Sequence, residues 1–411
     1  MEIETLKHSH LKRNIIIGLI AVLIISAIVL NFTRAKYRVT DSVPLIEGVI
    51  NYSPGDIIIT AYLDDKQLET FPEKGTVSFN SITCDNNATA SFDTTNWQIN
   101  VSNLTQKGTK CDVYFKESVP AKDTILAGKD IQTRNDFNTT VIDTTTGIMY
   151  QTSDWKGTSY YFAGAPTDNW VRFGGFYWRI VRVNGDGSVR LIYNGTNTST
   201  TSAGTLADIS EQFNSRYNQS EYVGLKYTTG QQHGQNTDSP ILNTLQSWYN
   251  SSGLSATQYS QYIDTSVGFC SDRNMASGSS WSSQPSSSNI YYAAYGRLYT
   301  NKNPNLSCTN SDIIMEPVGL ITADEVAYAG GVYGSRNASY YLYNGQDYWT
   351  MSPSYFSGTG AYILYVSSNG NLSDYRVSYT RGVRPVINLS ASVTVTGSGT
   401  TTDPYVVEGA A

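Results

Sequence analysis

Few residues of this 411-residue chain have the types and spacing that catalysis needs. The histidines are His8, His10 and His233, and the first two lie at the extreme N-terminus. One imidazole remains, so neither a zinc ligand set nor a Ser-His-Asp constellation can be assembled. No catalytic set, metal or cofactor is expected. Asp272-Arg273, just after Cys270, reads as a local salt bridge stiffening a disulfide loop rather than as a site pair. Asp324-Glu325 could be an acid–base pair. Adjacent helical residues do not face each other, however, and acidic groups favour a helix N-terminus. Glu325 therefore reads as structural, paired with Thr322 in a capping box. Arg384 reads as an anchor that bonds backbone carbonyls near the final strand.

What remains is surface. The chain carries 31 Tyr and only 15% charged residues, with Ser, Thr, Asn and Gly filling the gap. Its net charge of −6 offers no basic face for phosphates, so no nucleic-acid partner is expected. Between 355 and 379 stand Tyr355, Tyr362, Tyr365, Asn369, Asn371, Asp374, Tyr375 and Tyr379. Tyrosine supplies rigid amphipathic area at low entropy cost, and Asn and Ser adapt their hydrogen bonds, as in antibody binding loops. Tyr355, Asn369, Asn371, Asp374 and Tyr375 are the candidate ligand-binding residues. Half of these tyrosines could instead simply fill the pleat.

These residues need elements to hold them. Thr322 with Glu325 starts a short helix at Ala323 that stops at Gly330-Gly331. Tyr348 to Ser354 reads as an aromatic strand with Trp349 as a core residue. Ala361–Val366 and a strand over Tyr375–Tyr379 flank Ser368-Asn369-Gly370, a hairpin signal. Both sides of Ala361–Val366 are largely apolar, so it should be central and buried, with exposed Tyr and Asn in the connections. Earlier, Asn169–Val183 reads as a hairpin turning at Gly174-Gly175. Arg172, Arg179, Arg182 and Arg190 punctuate these strands and read as a solvated face packing on aromatics. Ser239 with Pro240 starts a helix through Tyr249, and Ala256–Ile263 reads as another.

The runs Gly319 to Val326, Tyr348 to Ser354 and Gly382 to Leu389 resemble a bacterial surface-protein family of unknown function. Trp178 to Val181 and Phe269 to Arg273 extend the resemblance. It implies a C-type-lectin-like fold, related to the formylglycine-generating-enzyme domain, over the later part of the chain. That fold hosts binders and enzymes alike. The enzyme relatives depend on a C-terminal cysteine pair, and here no Cys follows Cys308, which argues against sulfatase-activating chemistry. Asp347 and Asp374 could line a calcium site as in many lectins, but the Glu-Pro-Asn and Gln-Pro-Asp sugar motifs are missing. The Tyr355–Tyr379 region is also similar to the ligand-facing segment of lectin-fold proteins diversified by retroelements.

The expected fold class is an α+β C-type-lectin-like head preceded by an all-β immunoglobulin-like sandwich and one N-terminal transmembrane helix. Residues 1–13 form a cytoplasmic tip and 14–32 a membrane span, whose run from Ile15 to Leu30 is unbroken apolar. Asn31 to Ala35 makes a poor cleavage site, which favours an uncleaved anchor over a signal peptide. A stalk (33–46), a β-sandwich spacer (47–118), a linker (119–145), the head (146–392) and a β tail (393–411) follow. Cys84 should pair with Cys111 and Cys270 with Cys308, each within one expected domain and in an oxidising compartment. The expected protein sits in the cell membrane by a single pass with its C-terminal domains outside. It recognises or adheres to a glycan or protein ligand without catalysis; the alternative is an extracellular enzyme acting on cell wall or glycan.

Overall fold

The computed structural model describes residues 57–73, 76–94, 96–199, 204, 206–207, 209–283 and 288–410. The chain divides into two compact units, residues 1–59 with 82–111 and residues 60–81 with 112–411. In the described part of the first unit, Thr89–Asp93 and Gln98–Ser102 pair antiparallel. A disulfide joins Cys84 to Cys111 there.

The second unit holds a nine-stranded and a six-stranded sheet. At the heart of the larger one, Trp170–Phe173 and Phe176–Val183 form a hairpin in register from Phe173–Phe176 to Trp170–Arg179. Gly174 and Gly175 make its turn at φ +62° and +81°, a conformation that side chains with a Cβ resist. Val189–Tyr193 pairs with Phe176–Val183 on one side and with Val386–Leu389 on the other. The tail is stitched into the same sheet, since Tyr405–Val407 runs parallel to Trp170–Phe173.

The smaller sheet is built on Tyr348–Phe356, Ala361–Val366 and Leu372–Arg376, successive antiparallel neighbours. Gly370 closes the second turn at φ +80°, where a Cβ would lie 1.7 Å from the Asn337 carbonyl oxygen. The Ala323–Tyr328 helix lies between the sheets. Its capping box is formed, with Thr322 Oγ1 accepting from Glu325 N–H and Glu325 Oε2 accepting from Thr322 N–H. Ser352 Oγ accepts from Ala323 N–H on one side, while Arg182 and Arg190 of the larger sheet donate to Glu325 on the other. A shared apolar core includes Trp178, Trp349, Phe269 and Leu364. Cys270 is joined to Cys308.

Three expectations are corrected. The described residues are mostly β rather than α+β, because strands far outnumber short helices. Ala256–Ile263 yields helix only over Thr257–Ser260. Second, no helix among the described residues is long and apolar enough to cross a membrane. The longest, Pro240–Ser251, has 12 residues and spans about 18 Å against the roughly 30 Å of a hydrocarbon core. The expected span at 14–32 lies outside the described residues, and the single-pass membrane localisation is set aside. Third, Arg179, Arg182 and Arg190 are not a solvated face: they are 3%, 1% and 0% exposed. Their strands are covered on both sides, so an arginine between apolar neighbours has no route to water.

Candidate functional site

Burial of these arginines demands counter-charge, because an unpaired buried ion is costly. Arg182 donates to Glu325 at 2.9 Å and to Asp154 at 2.6 Å, and Arg190 donates to Glu325 at 2.9 Å. Burial alone would push the Glu325 carboxyl up; Arg190, Arg182 and the Thr322 N–H reverse that and hold it at about 2. Next to it, Arg297 bridges Asp272 and Asp324 at 2.6 and 2.8 Å. Burial raises Asp272 despite that partner. Asp272 and Arg273 do not form the expected local pair, since Arg273 binds Asp312 instead, at 3.1 Å. His233 Nδ1 also lies 3.0 Å from Asp312. Carboxylates thus converge between the sheets, but the cavity they line measures about 10 Å³. That is room for a single water, far below the 300–1,000 Å³ of a ligand site.

The smaller sheet offers a different surface. Tyr355 lies opposite Tyr362, and their rings stack at 4.4 Å with 9° between planes. Leu364 lies opposite Asp374, and Tyr362 opposite Arg376, so Tyr355, Tyr362, Asp374 and Arg376 share one face. Tyr291, Tyr295 and Tyr299 extend this face. Tyr295 stacks on both neighbours at 4.7 Å, and Tyr291 and Tyr295 each lie 6.0 Å from Tyr355. Tyr291 lies in the short strand Ile290–Tyr291 opposite Tyr355, while Tyr295 and Tyr299 sit where Ala293–Tyr295 runs on into a π-helical turn over Gly296–Asn301. Tyr333 packs edge-on to Tyr299 and donates its hydroxyl to Asp374. Burial and the neighbouring Tyr299 push the Tyr295 hydroxyl up to about 12; burial and Asp374 raise Tyr333 and Tyr355 too. All three therefore remain neutral hydrogen-bonding groups at neutral pH. Tyr299 is 49% exposed at the open end of the stack. Beside it lies an open groove of about 680 Å³, bordered by Tyr291, Tyr295, Thr300, Asn301 and several serines.

The sequence-predicted set is therefore divided. Tyr355 and Asp374 come together on the tyrosine face, within strands rather than in connections. Tyr375 lies opposite Ile363 on the reverse face, under the Arg381 guanidinium at 4.1 Å. Asn369 and Asn371 build the hairpin turn: Asn369 Oδ1 accepts from Ser367 Oγ and from Asn371 N–H. Ala361–Val366 is central, as expected, and four of its six residues are buried, with Tyr362 and Tyr365 partly so. Asp347 pairs with Arg381 at 3.3 Å, while Asp374 takes the Tyr333 hydroxyl. Trp349 is fully buried, donating to the Glu211 carbonyl at 2.9 Å. Arg384 donates to the carbonyls of Tyr193 and Leu342 and to Asn194 Oδ1. Tyr291, Tyr295, Tyr299 and Tyr333 were missed. The first three did leave a signal, tyrosine at every fourth position.

Comparison with protein-family models, with curated proteins and with solved structures finds no match.

Proposed function

We propose that this chain is a non-catalytic recognition protein that binds a glycan on the face built from Tyr291, Tyr295, Tyr299, Tyr333, Tyr355 and Tyr362. The observation that carries the reading is the convergence of these rings beside a groove lined by hydroxyl and amide side chains. Aromatic faces accept the apolar C–H side of a sugar, and the hydroxyls and amides take its polar edge. Asp374 fixes Tyr333 and so the edge of the platform. Binding is favoured over hydrolysis because the buried carboxylates enclose space for one water, not for a substrate.

A glycan array probed with the full chain tests the reading. Tyr299→Ala should weaken the selected glycan by about 1–3 kcal/mol, as loss of an aromatic anchor does. Its melting behaviour should change little, because substitutions at exposed positions usually stay within about ±0.5 kcal/mol. An unaltered affinity in Tyr299→Ala and in Tyr355→Ala would remove this face from consideration.

A further inference from the structure

A second pocket of the larger unit shares no residue with the tyrosine face. Buried Trp170, Arg179, Tyr340 and Tyr341 form its floor, and exposed Thr167, Ser339 and Thr401 stand at its rim. Its volume is about 330 Å³, within the range of small-molecule sites.

The charge at its floor makes no direct bond to a carboxylate. Arg182, Arg190, Arg273 and Arg297 of the same unit each bond a carboxylate. Arg179 does not. Its Nε donates to Asn169 Oδ1 at 2.6 Å and one Nη donates to the Pro166 carbonyl at 2.8 Å. Its guanidinium lies 4.2 Å from the Trp170 ring centre and 5.3 Å from that of Tyr341. The other Nη bonds no atom of the described residues. Asp168 attracts it from a distance without bonding it: Lys129 and the Gly147 N–H share the Asp168 Oδ2, and the buried Oδ1 bonds nothing among the described residues. Arg384 adds a like charge, and its own nitrogens are spent on Tyr193, Leu342 and Asn194. Burial pulls the Arg179 guanidinium down to about 9, so it remains cationic at neutral pH. A buried cation that opens on a pocket with a hydrogen-bond donor to spare calls for an anion.

We propose that this pocket binds a carboxylate-bearing monosaccharide, with the carboxylate on the open Nη of Arg179 and the sugar hydroxyls on Thr167 and Ser339. One open nitrogen suits a carboxylate better than a phosphate, whose oxygens ask for more donors. The proposal does not rest on the tyrosine face, and its test is separate.

Titration calorimetry of the full chain with glucuronate, glucose and sulfate decides it. Glucuronate should bind, and glucose should bind at least about tenfold more weakly. Thr401→Glu places an acid at the exposed rim and should weaken glucuronate about tenfold, while Thr401→Gln stays within about twofold. Both should melt like the wild type. Arg179→Met should abolish binding, and Tyr299→Ala should leave it unchanged. Absence of glucuronate binding, equal binding of glucose, or indifference to Thr401→Glu would overturn the proposal. Sulfate binding as tightly as glucuronate would overturn the sugar-acid assignment.

Discussion

A single carboxylate, Glu325, serves two structures at once. One oxygen completes the capping box and the other receives both Arg182 and Arg190. Its pKa falls from the ordinary 4.5 to about 2 in the fold. A depressed acid contributes stability that is present in full above 4.5 and is lost as the pH falls towards about 2. Asp272, raised by burial, works in the opposite sense. Replacing Glu325 isolates its part. Glu325→Gln should cost about 3–5 kcal/mol near neutral pH, because two buried guanidinium groups lose their counter-charge. The cost should shrink as the pH is lowered from 4.5 to about 2, since the wild type then also loses the charge. Denaturant titrations of both proteins across that range measure it; a pH-independent difference would contradict the argument. The capping box was legible because it needs only two residues at fixed spacing. The arginine partners were not, because Arg182 and Arg190 lie far from Glu325 along the chain.

At the scale of elements, the Tyr348–Phe356 strand carries opposite roles on different positions. Trp349 is fully buried against Phe213 and Tyr365 at 6.0 and 6.2 Å. Tyr355 turns instead to the Tyr362 stack. Trp349→Ala should therefore cost about 3–5 kcal/mol of stability through the cavity it leaves. Thermal melts read this directly, and a loss below about 1 kcal/mol would show that Trp349 is not a core residue. The strand and the Asn-Gly turn were readable from the local text, but the strand after the turn was expected over Tyr375–Tyr379 and forms over Leu372–Arg376. Which tyrosine faced which side was not. Alternation along Ala361–Val366 puts apolar residues on both sides, and only the register with Leu372–Arg376 decides that Asp374, not Tyr375, shares the face of Tyr362.

For the whole molecule, the disulfides are the covalent constraint. The bonded cysteines are 27 and 38 residues apart, and closing loops of that length is worth about 3–4 kcal/mol each in the chain-entropy account. Non-reducing peptide mapping should return Cys84–Cys111 and Cys270–Cys308 with no crossed pair. The Cys270→Ser, Cys308→Ser double variant should melt lower by the corresponding amount. A melt equal to the wild type would show that the 270–308 segment is held without its bridge. Position along the chain was enough to pair these cysteines, because each partner is the near one.

The sequence by itself determined what short-range chemistry determines. The capping box at Thr322 and Glu325, the Gly174-Gly175 and Asn369-Gly370 turns and the strands on either side follow from backbone preference within a few residues. The balance of secondary structure needed the fold, since Ala256–Ile263 yields helix only over Thr257–Ser260. Only the tertiary structure decided the rest. It buried Arg179, Arg182 and Arg190, gave two of them carboxylates and left Arg179 facing a pocket. It also gathered Tyr291, Tyr295 and Tyr299 against Tyr333, Tyr355 and Tyr362. The physical reason is the same in both cases: burial and ring stacking depend on which distant elements close over a residue, and no local pattern encodes that.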